Sequence, residues 1–141
     1  MPYATEADLT TRLGADLAVL LADEDADGAA DSAILSAALA DAAAEIDAAL
    51  ASRYATPISP APALLTRLNA DLAVYFLFLR RREAITPEHL ARWRDAREQL
   101  DQFASGELAL EGVSPRLAGF KSESTTREQP RRFDRDALDS Y

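Results

Sequence analysis

The sequence predicts an all-α protein: a small bundle of four to five helices with a long extended C-terminal arm. Two observations predict the bundle. Apolar residues recur at helical spacing in several separate segments, and alanine, the best helix former, fills most of the longest segment. A third observation predicts the arm, because residues 113–141 are polar and rich in Ser, Thr, Pro and charged side chains. We therefore expect a helical body over 1–112 and an arm over 113–141 that partner contact orders.

Two short helices are predicted at the N-terminus. Thr5 and Asp8 have the spacing of a capping box that opens the first helix. Gly14 is placed to end that helix in the left-handed conformation. An apolar segment over 15–21 then predicts a second short helix.

A long alanine-rich helix follows an acidic loop over 23–30. Asp31 stands where a capping side chain is expected, and the helical pattern continues to about Tyr54. The expected apolar stripe consists of Leu35, Leu39, Ala42, Ile46, Ala49 and Arg53. Close packing against neighbouring helices follows from this composition.

Two more helices are predicted after the proline-rich connector over 56–63. The first, from about Pro62 to Arg82, is apolar on nearly all sides, so we expect either the central helix or one that another subunit partly covers. Its main stripe consists of Leu65, Leu68, Leu72, Tyr75, Phe76 and Leu79. The second begins at Thr86 and Pro87 and reaches Ser105, with Leu90, Trp93, Leu100 and Phe103 on one face. A short strand or a turn is expected in the following residues, 106–112.

The net charge of −9 is concentrated in the first third of the chain. Residues 1–52 carry eleven acidic side chains and one basic one, whereas residues 53–141 carry fourteen basic and thirteen acidic ones. This distribution argues against DNA binding by the first third, because phosphates would be repelled. It is compatible with a basic partner, a metal ion or the arginine-rich face of a neighbouring copy.

The acidic loop is similar in spacing to an EF-hand calcium loop. The matching residues are Asp23, Asp25, Asp27, Gly28 and Asp31. The bidentate glutamate expected at the twelfth position is replaced by Ile34, so the loop lacks its strongest ligand. We favour an acidic turn whose last aspartate caps the long helix, with weak calcium binding by the four aspartates as the alternative. No other cofactor is expected.

An arginine cluster is predicted around the turn between the last two helices. Its members are Arg80, Arg81, Arg82, Arg92, Arg94 and Arg97. Such a cluster can bind nucleic acid or an acidic protein surface, or it can be a solvated face. We favour docking of a neighbouring copy, because the acidic first third of the chain is complementary in charge.

The sequence gives little support for a catalytic function or for a metal-binding function. Cysteine is absent and His89 is the only histidine, so disulfides, thiolate sites and multi-histidine metal sites are excluded. His89 is expected at the surface or half-buried in an amphipathic helix, and no catalytic set surrounds it. The N-terminus has no signal-peptide pattern and the longest apolar run is too short for a membrane span, so we expect a protein made in the cytoplasm.

Weak motifs spread along nearly the whole chain give a resemblance to a known family. They comprise Tyr3-Ala4-Thr5 with Asp8-Leu9, Leu20 and the loop from Asp23 to Gly28, Leu39, Ala43, Glu45-Ile46-Asp47, Leu50, Arg53-Tyr54, Pro57, Leu64, Leu68, Asp71-Leu72-Ala73, and Arg132-Phe133 with Arg135-Asp136 and Leu138. In these residues the chain resembles the small head–tail connector (adaptor) proteins of Mu-like phages and prophages. It departs from the family's loop pattern at Ala26, where glycine is common.

The resemblance implies a structural virion protein that is not an enzyme. Such adaptors form a homo-oligomeric ring, typically a dodecamer, below the portal protein at the virion neck, and they assemble in the host cytoplasm. They extend the DNA channel, through which DNA passes without specific binding, and they join the head to a stopper (head-completion) or tail-terminator protein. Chain ends commonly reach onto the portal or a neighbour.

The arm has few apolar anchors for such contacts. The expected contact residues are Phe120, Arg131, Arg132, Phe133, Arg135 and Leu138. Phe133 is the favoured anchor, because its arginine neighbours can pair with acidic rims. Two alternatives remain: a monomeric helical module that recruits a partner and carries an EF-hand-like acidic loop, and an arginine-patch nucleic-acid regulator.

Overall fold

The chain folds into an all-α bundle in the computed structural model, which describes residues 1–116 of the 141. The five helices, in chain order, are α1 Glu6–Leu13, α2 Ala15–Ala22, α3 Ser32–Leu50, α4 Ala63–Arg81 and α5 Pro87–Ser105. Between residues 1 and 116 there is no strand, and residues 106–112 form turns. The predicted fold class is therefore confirmed. Outside the described residues lie most of the predicted arm and its expected contact residues, Phe120, Arg131, Arg132, Phe133, Arg135 and Leu138.

Helix α4 is the central helix of the bundle, which was one of the two expected situations. It contacts α1, α2, α3 and α5, and ten of its residues are buried. Burial on most sides is what an apolar sequence on most sides requires. The predicted stripe is wrong at Leu79, which is 56% exposed because none of the helices within residues 1–116 covers this part of the C-terminal turn of α4.

The first helix begins and ends close to its predicted limits. The Thr5 backbone N–H donates to Asp8 Oδ2 at 2.8 Å, and the Asp8 N–H donates to Thr5 Oγ1 at 3.2 Å, which completes the predicted capping box. Gly14 ends α1 at φ 91° and ψ 145°, outside the left-handed helical region that was expected. This conformation favours glycine and lets α2 start at the next residue.

Helix α3 differs from the prediction at both ends. Asp31 precedes its first residue, but the Asp31 carboxylate accepts a hydrogen bond from the Glu24 N–H at 2.9 Å and does not cap the helix. The helix ends at Leu50, before the predicted Tyr54. Tyr54 turns into the core, where its hydroxyl accepts the N–H of Leu110 at 3.0 Å. The early end of α3 thus ties the helix to the segment that follows α5.

Helix α5 ends on a glycine, as predicted. Gly106 adopts a left-handed conformation at φ 88°, and the Arg53 guanidinium lies so close that a Cβ here would be 1.7 Å from it. A cation at the C-terminal end of a helix is favourable because the last carbonyls are left without intrahelical partners. The Arg53 carbonyl also accepts the N–H of Arg116, so the described body extends through that residue.

A buried asparagine joins three parts of the bundle. Asn69 on α4 is fully buried, and its Oδ1 accepts hydrogen bonds from the N–H groups of Tyr3 and Ala4, each at 2.9 Å. Its Nδ2 donates to the carbonyl of Leu39 on α3 at 3.0 Å. One polar contact inside the apolar core therefore joins three elements: the segment that precedes α1, helix α3 and helix α4.

The side chain of Tyr3 makes two more hydrogen bonds that hold the N-terminal segment in place, one to α3 and one to the connector. The Tyr3 hydroxyl donates to Asp47 on α3 and accepts from the N–H of Ile58 in the connector. Burial, followed by the hydrogen bond to Asp47, raises the pKa of Tyr3 to about 12. The hydroxyl is thus neutral at all ordinary pH values and acts as a structural hydrogen-bonding group.

We expect Asn69→Ala to lower the free energy of unfolding by about 2 to 4 kcal/mol, because the N–H groups of Tyr3 and Ala4 would remain buried without acceptors. Urea denaturation followed by far-ultraviolet circular dichroism measures this loss. The control is Glu98→Ala on the exposed face of α5, which should change stability by less than about 0.5 kcal/mol. Equal stability of the two variants would contradict a structural role for Asn69.

Candidate functional site

An ion pair that is mostly shielded from water joins α1 to the central helix. Arg12 donates to both carboxylate oxygens of Asp71, from Nε at 2.6 Å and from Nη2 at 3.0 Å, and Asp71 is only 6% exposed. The hydrogen bonds to Asp71 raise the pKa of Arg12. Arg12 is the single basic residue of the acidic first third, and it serves the fold. A cleft of about 380 Å³ lies beside this pair and is lined by further arginines, Arg67 and Arg92.

The acidic loop between α2 and α3 brings three of its four predicted ligands together. Carboxylate oxygens of Asp23, Asp25 and Asp27 lie within 4.8 Å of one another. Asp31 is not in this group, because its carboxylate binds the N–H of Glu24. Ile34, at the twelfth position of the loop pattern, lies half-buried in α3 and brings no oxygen.

Backbone groups of the loop already occupy part of these carboxylates. The N–H of Gly28 donates to Asp23 at 3.0 Å, and the N–H of Asp27 donates to Asp25 at 3.2 Å. Partial burial raises the pKa of Asp23, but the hydrogen bonds from Gly28 and its neighbours outweigh it and the net pKa is lowered. For Asp25 the hydrogen bond from Asp27 lowers the pKa, while desolvation and the Asp27 charge outweigh it and give a raised pKa. Three carboxylates provide fewer ligands than the six to eight oxygens that calcium takes.

The predicted arginine cluster divides into two groups. Three members form ion pairs within the chain: Arg80 with Glu24, Arg92 with Glu88, and Arg97 with Glu45. The other three are exposed and form no ion pair with any residue from 1 to 116: Arg81, Arg82 and Arg94. The acidic first third therefore neutralises two of the six arginines, Arg80 and Arg97, within the same chain. Docking of a neighbouring copy on the remaining arginines stays a prediction.

An aromatic face is formed by residues of the predicted apolar stripes of α4 and α5 that are only partly buried. We define it as Tyr75, Phe76 and Leu79 of α4 with Trp93 of α5. The Tyr75 and Trp93 rings stack at 4.2 Å with an interplanar angle of 16°, and Phe76 meets Tyr75 edge-on at 6.2 Å. The three aromatic side chains are half-buried and Leu79 is exposed. The available signal was the all-round apolar sequence of α4, which offers more apolar surface than its four neighbours cover, because α1 and α2 have only eight residues each.

His89 is buried, which corrects the expected surface or half-buried position. It is 7% exposed and its ring lies 5.7 Å from that of Phe78. Burial, followed by the positive charge of Arg92, lowers the pKa of His89. The sequence pattern missed this burial because the first turn of α5 packs against the C-terminal half of α4.

None of the five helices within residues 1–116 combines the length and the apolar character needed to cross a bilayer.

We expect stability to fall as the pH is lowered through the ordinary histidine value. The folded-state pKa of His89 is lowered, so between the two values the unfolded state binds the proton and the folded state does not. The free energy of unfolding should therefore decrease from about pH 7.5 to about pH 5.5, around the unfolded value of about 6.5. Urea denaturation at several pH values measures the slope. His89→Phe should flatten it, and an unchanged slope in that variant would show that other groups cause it.

We expect the acidic loop to be no strong calcium site. Asp25→Asn combined with Asp27→Asn should change the free energy of unfolding in EDTA by less than about 1 kcal/mol, because no strong ligand set is lost. Thermal melting with EDTA and with calcium measures the effect. A large calcium-dependent rise in Tm that the double substitution abolishes would overturn this expectation.

Comparison with known proteins covers almost the entire described body. A family model described as "Bacteriophage Mu, Gp36" matches residues 3–126, which include all five helices, the acidic loop and the arginine cluster. A search of curated proteins gave no match. The extent of the family match shows that the chain belongs to the Bacteriophage Mu Gp36 family.

Proposed function

We propose that this protein is a structural, non-enzymatic protein of the virion that forms an adaptor ring below the portal protein. The ring would extend the DNA channel and join the head to a stopper or tail-terminator protein. The observation that carries the proposal is the match of residues 3–126 to a phage protein family, together with the connector-like motifs along the same residues. Its place would be the virion neck, reached by assembly in the host cytoplasm.

The distribution of charge on the helical body supports assembly of like copies. Asp25 and Asp27 are exposed on one loop, whereas Arg81, Arg82 and Arg94 are exposed around the turn between α4 and α5. Two unlike, complementary surfaces on one chain favour contacts that repeat from copy to copy, and such contacts close into rings when the rotation permits. A homo-oligomeric ring, and a dodecamer in particular, is the proposed assembly.

The acidic first third supports a passive role toward DNA. Residues 1–52 carry a net charge of −10, and a surface of this sign repels phosphates. We assign part of this surface to the channel lining, where DNA passes without specific binding. The remainder is left for contacts with basic surfaces of neighbouring proteins. Neither a membrane nor a cofactor is part of this proposal, and calcium would bind only weakly.

The residues beyond the described body supply the proposed contacts with the portal or a neighbouring copy. Isolated apolar side chains flanked by arginines are suited to insert singly into pockets with acidic rims. The residues assigned to these contacts are Phe120, Arg131, Arg132, Phe133, Arg135 and Leu138. Phe133 has the largest apolar side chain next to arginines and is the assigned anchor.

The alternative of a calcium-dependent recruiting module is favoured by one observation, the proximity of Asp23, Asp25 and Asp27. That module would be a monomer of 15.3 kDa whose partner binding requires calcium. The assembled connector would be far larger than the monomer. Its size would not change when EDTA removes calcium. Sedimentation with and without EDTA therefore separates the two functions.

We expect a phage that lacks this protein to accumulate heads and tails that do not join, or heads that leak DNA. Electron microscopy of lysates and plaque counts measure the defect. Supplying the full chain in trans should restore joined particles, whereas a chain ending at Arg116 should fold but not restore them.

Phe133→Ala should weaken portal or neighbour binding by about 2 kcal/mol or more, as truncation of hot-spot aromatics does.

Two outcomes would contradict this account at different points. Normal plaques from a clean deletion would exclude the connector function. Full rescue by the chain ending at Arg116 would leave the function in place and remove the contact role of the later residues.

A further inference from the structure

We propose that the aromatic face of one copy binds the acidic edge of a second copy. The acidic edge is defined as Asp16 and Leu20 of α2 with Asp25 and Asp27 of the following loop. This inference deepens the proposed ring and rests on that function, because it names the surfaces through which neighbouring subunits would meet.

The aromatic face has the composition of an interface centre. Leu79 is 56% exposed, and it adjoins the stacked, half-exposed rings of Tyr75 and Trp93. Trp and Tyr are enriched among the side chains that carry most of the binding energy in interfaces. A stacked pair also stays in position before binding, so little side-chain freedom remains to be lost on contact.

Two exposed arginines that are close in sequence to this face indicate the charge of its occupant. Tyr75 and Leu79 are one turn apart and lie on one side of α4, and Arg82 caps the end of the helix three residues after Leu79. Arg94 follows Trp93 directly on α5, and both arginines are exposed without an ion pair in the described body. An apolar centre with a basic rim fits an apolar side chain that has acidic neighbours.

The acidic edge of the same chain has this combination. Leu20 is 49% exposed, and Asp16 lies one turn before it on the same side of α2. Asp25 and Asp27 are exposed in the loop that follows, where neither forms an ion pair with residues 1–116. Within the described residues, Leu20 and Leu79 are two of only four large apolar side chains that are exposed, the others being Met1 and Leu108.

Other occupants fit the aromatic face less well. Phe133, the anchor proposed after residue 116, is flanked in the sequence by Arg131, Arg132 and Arg135, which would meet a rim of the same sign. Single-stranded nucleic acid binds by stacking bases on free aromatic faces, but Tyr75 and Trp93 stack on each other. The net charge of −9 opposes nucleic acid as well.

Contact between two different surfaces has a consequence for the assembly. In the proposed ring the second copy keeps its own aromatic face free, so a third copy binds in the same way. A head-to-tail contact of this kind produces a closed ring or an open filament, whereas the same two surfaces paired across a two-fold axis would stop at a dimer.

Cysteine cross-linking tests the contact directly, because the natural chain has no cysteine. Purified Leu20→Cys and Leu79→Cys proteins are mixed at high concentration and oxidised, and the products are separated by non-reducing electrophoresis. We expect a mixed dimer from the pair and a ladder of higher species from a chain that carries both substitutions. Adding Arg94→Glu to the Leu79→Cys protein should strongly reduce the cross-linked product, and more so at low salt.

The matched control replaces Leu79→Cys by Leu108→Cys, which also substitutes an exposed leucine, 43% exposed, and should give no product with Leu20→Cys. Circular dichroism confirms that every variant is folded. Equal yields from the two pairs, cross-linking of Leu79→Cys with itself alone, or absence of any product would overturn the proposed contact. A deletion phage that still fails to join heads to tails would then show that the connector function stands and only this contact is wrong.

Discussion

The side chain of Asn69 makes three hydrogen bonds inside the core, and the arrangement of the bundle depends on them. Its oxygen holds the backbone of Tyr3 and Ala4, and its nitrogen holds the carbonyl of Leu39. These two backbone N–H groups need an acceptor, and the Asn69 side chain supplies it while also holding α3 against α4. The Tyr3 hydroxyl then reaches Asp47 and Ile58 from the same anchored segment. A polar contact of this kind gives the apolar helices a defined register, which apolar packing alone specifies less sharply.

The central position of α4 explains both what is buried and what is left uncovered. Its neighbours α1 and α2 have eight residues each, so they cover only part of a helix of nineteen. The aromatic face at the C-terminal half of α4 remains partly open as a result. Arginines end α4 and lie along the middle of α5, whereas nine of the eleven acidic residues of the first third lie on α2, α3 and the loop between them. The two sets of charges meet within the chain at the ion pairs of Arg80 with Glu24 and of Arg97 with Glu45.

Features set by neighbouring residues could be predicted from the sequence. The capping box of α1, the Thr86–Pro87 start of α5 and the Gly106 stop each depend on a few adjacent residues, and the structure has them where the pattern placed them. Features set by distant residues could not be predicted. Asn69 accepts a hydrogen bond from Tyr3, which lies 66 positions earlier in the chain. His89 is buried because α5 packs against α4 and brings the histidine next to Phe78. Asp31 had the right type and place for a cap, but a competing N–H seven residues earlier, that of Glu24, takes its carboxylate.

In the proposed function, this five-helix body is the repeating unit of a ring between head and tail. A cryo-electron microscopy reconstruction of the phage neck, calculated with the symmetry of the particle, tests it most directly. We expect a ring of density directly below the portal into which the body of residues 1–116 fits, with α4 at the centre of each unit and part of the acidic surface of the first third toward the channel. The proposal would be contradicted if no ring of the neck accommodates this five-helix body. This holds whether the particles contain the protein at another place or lack it.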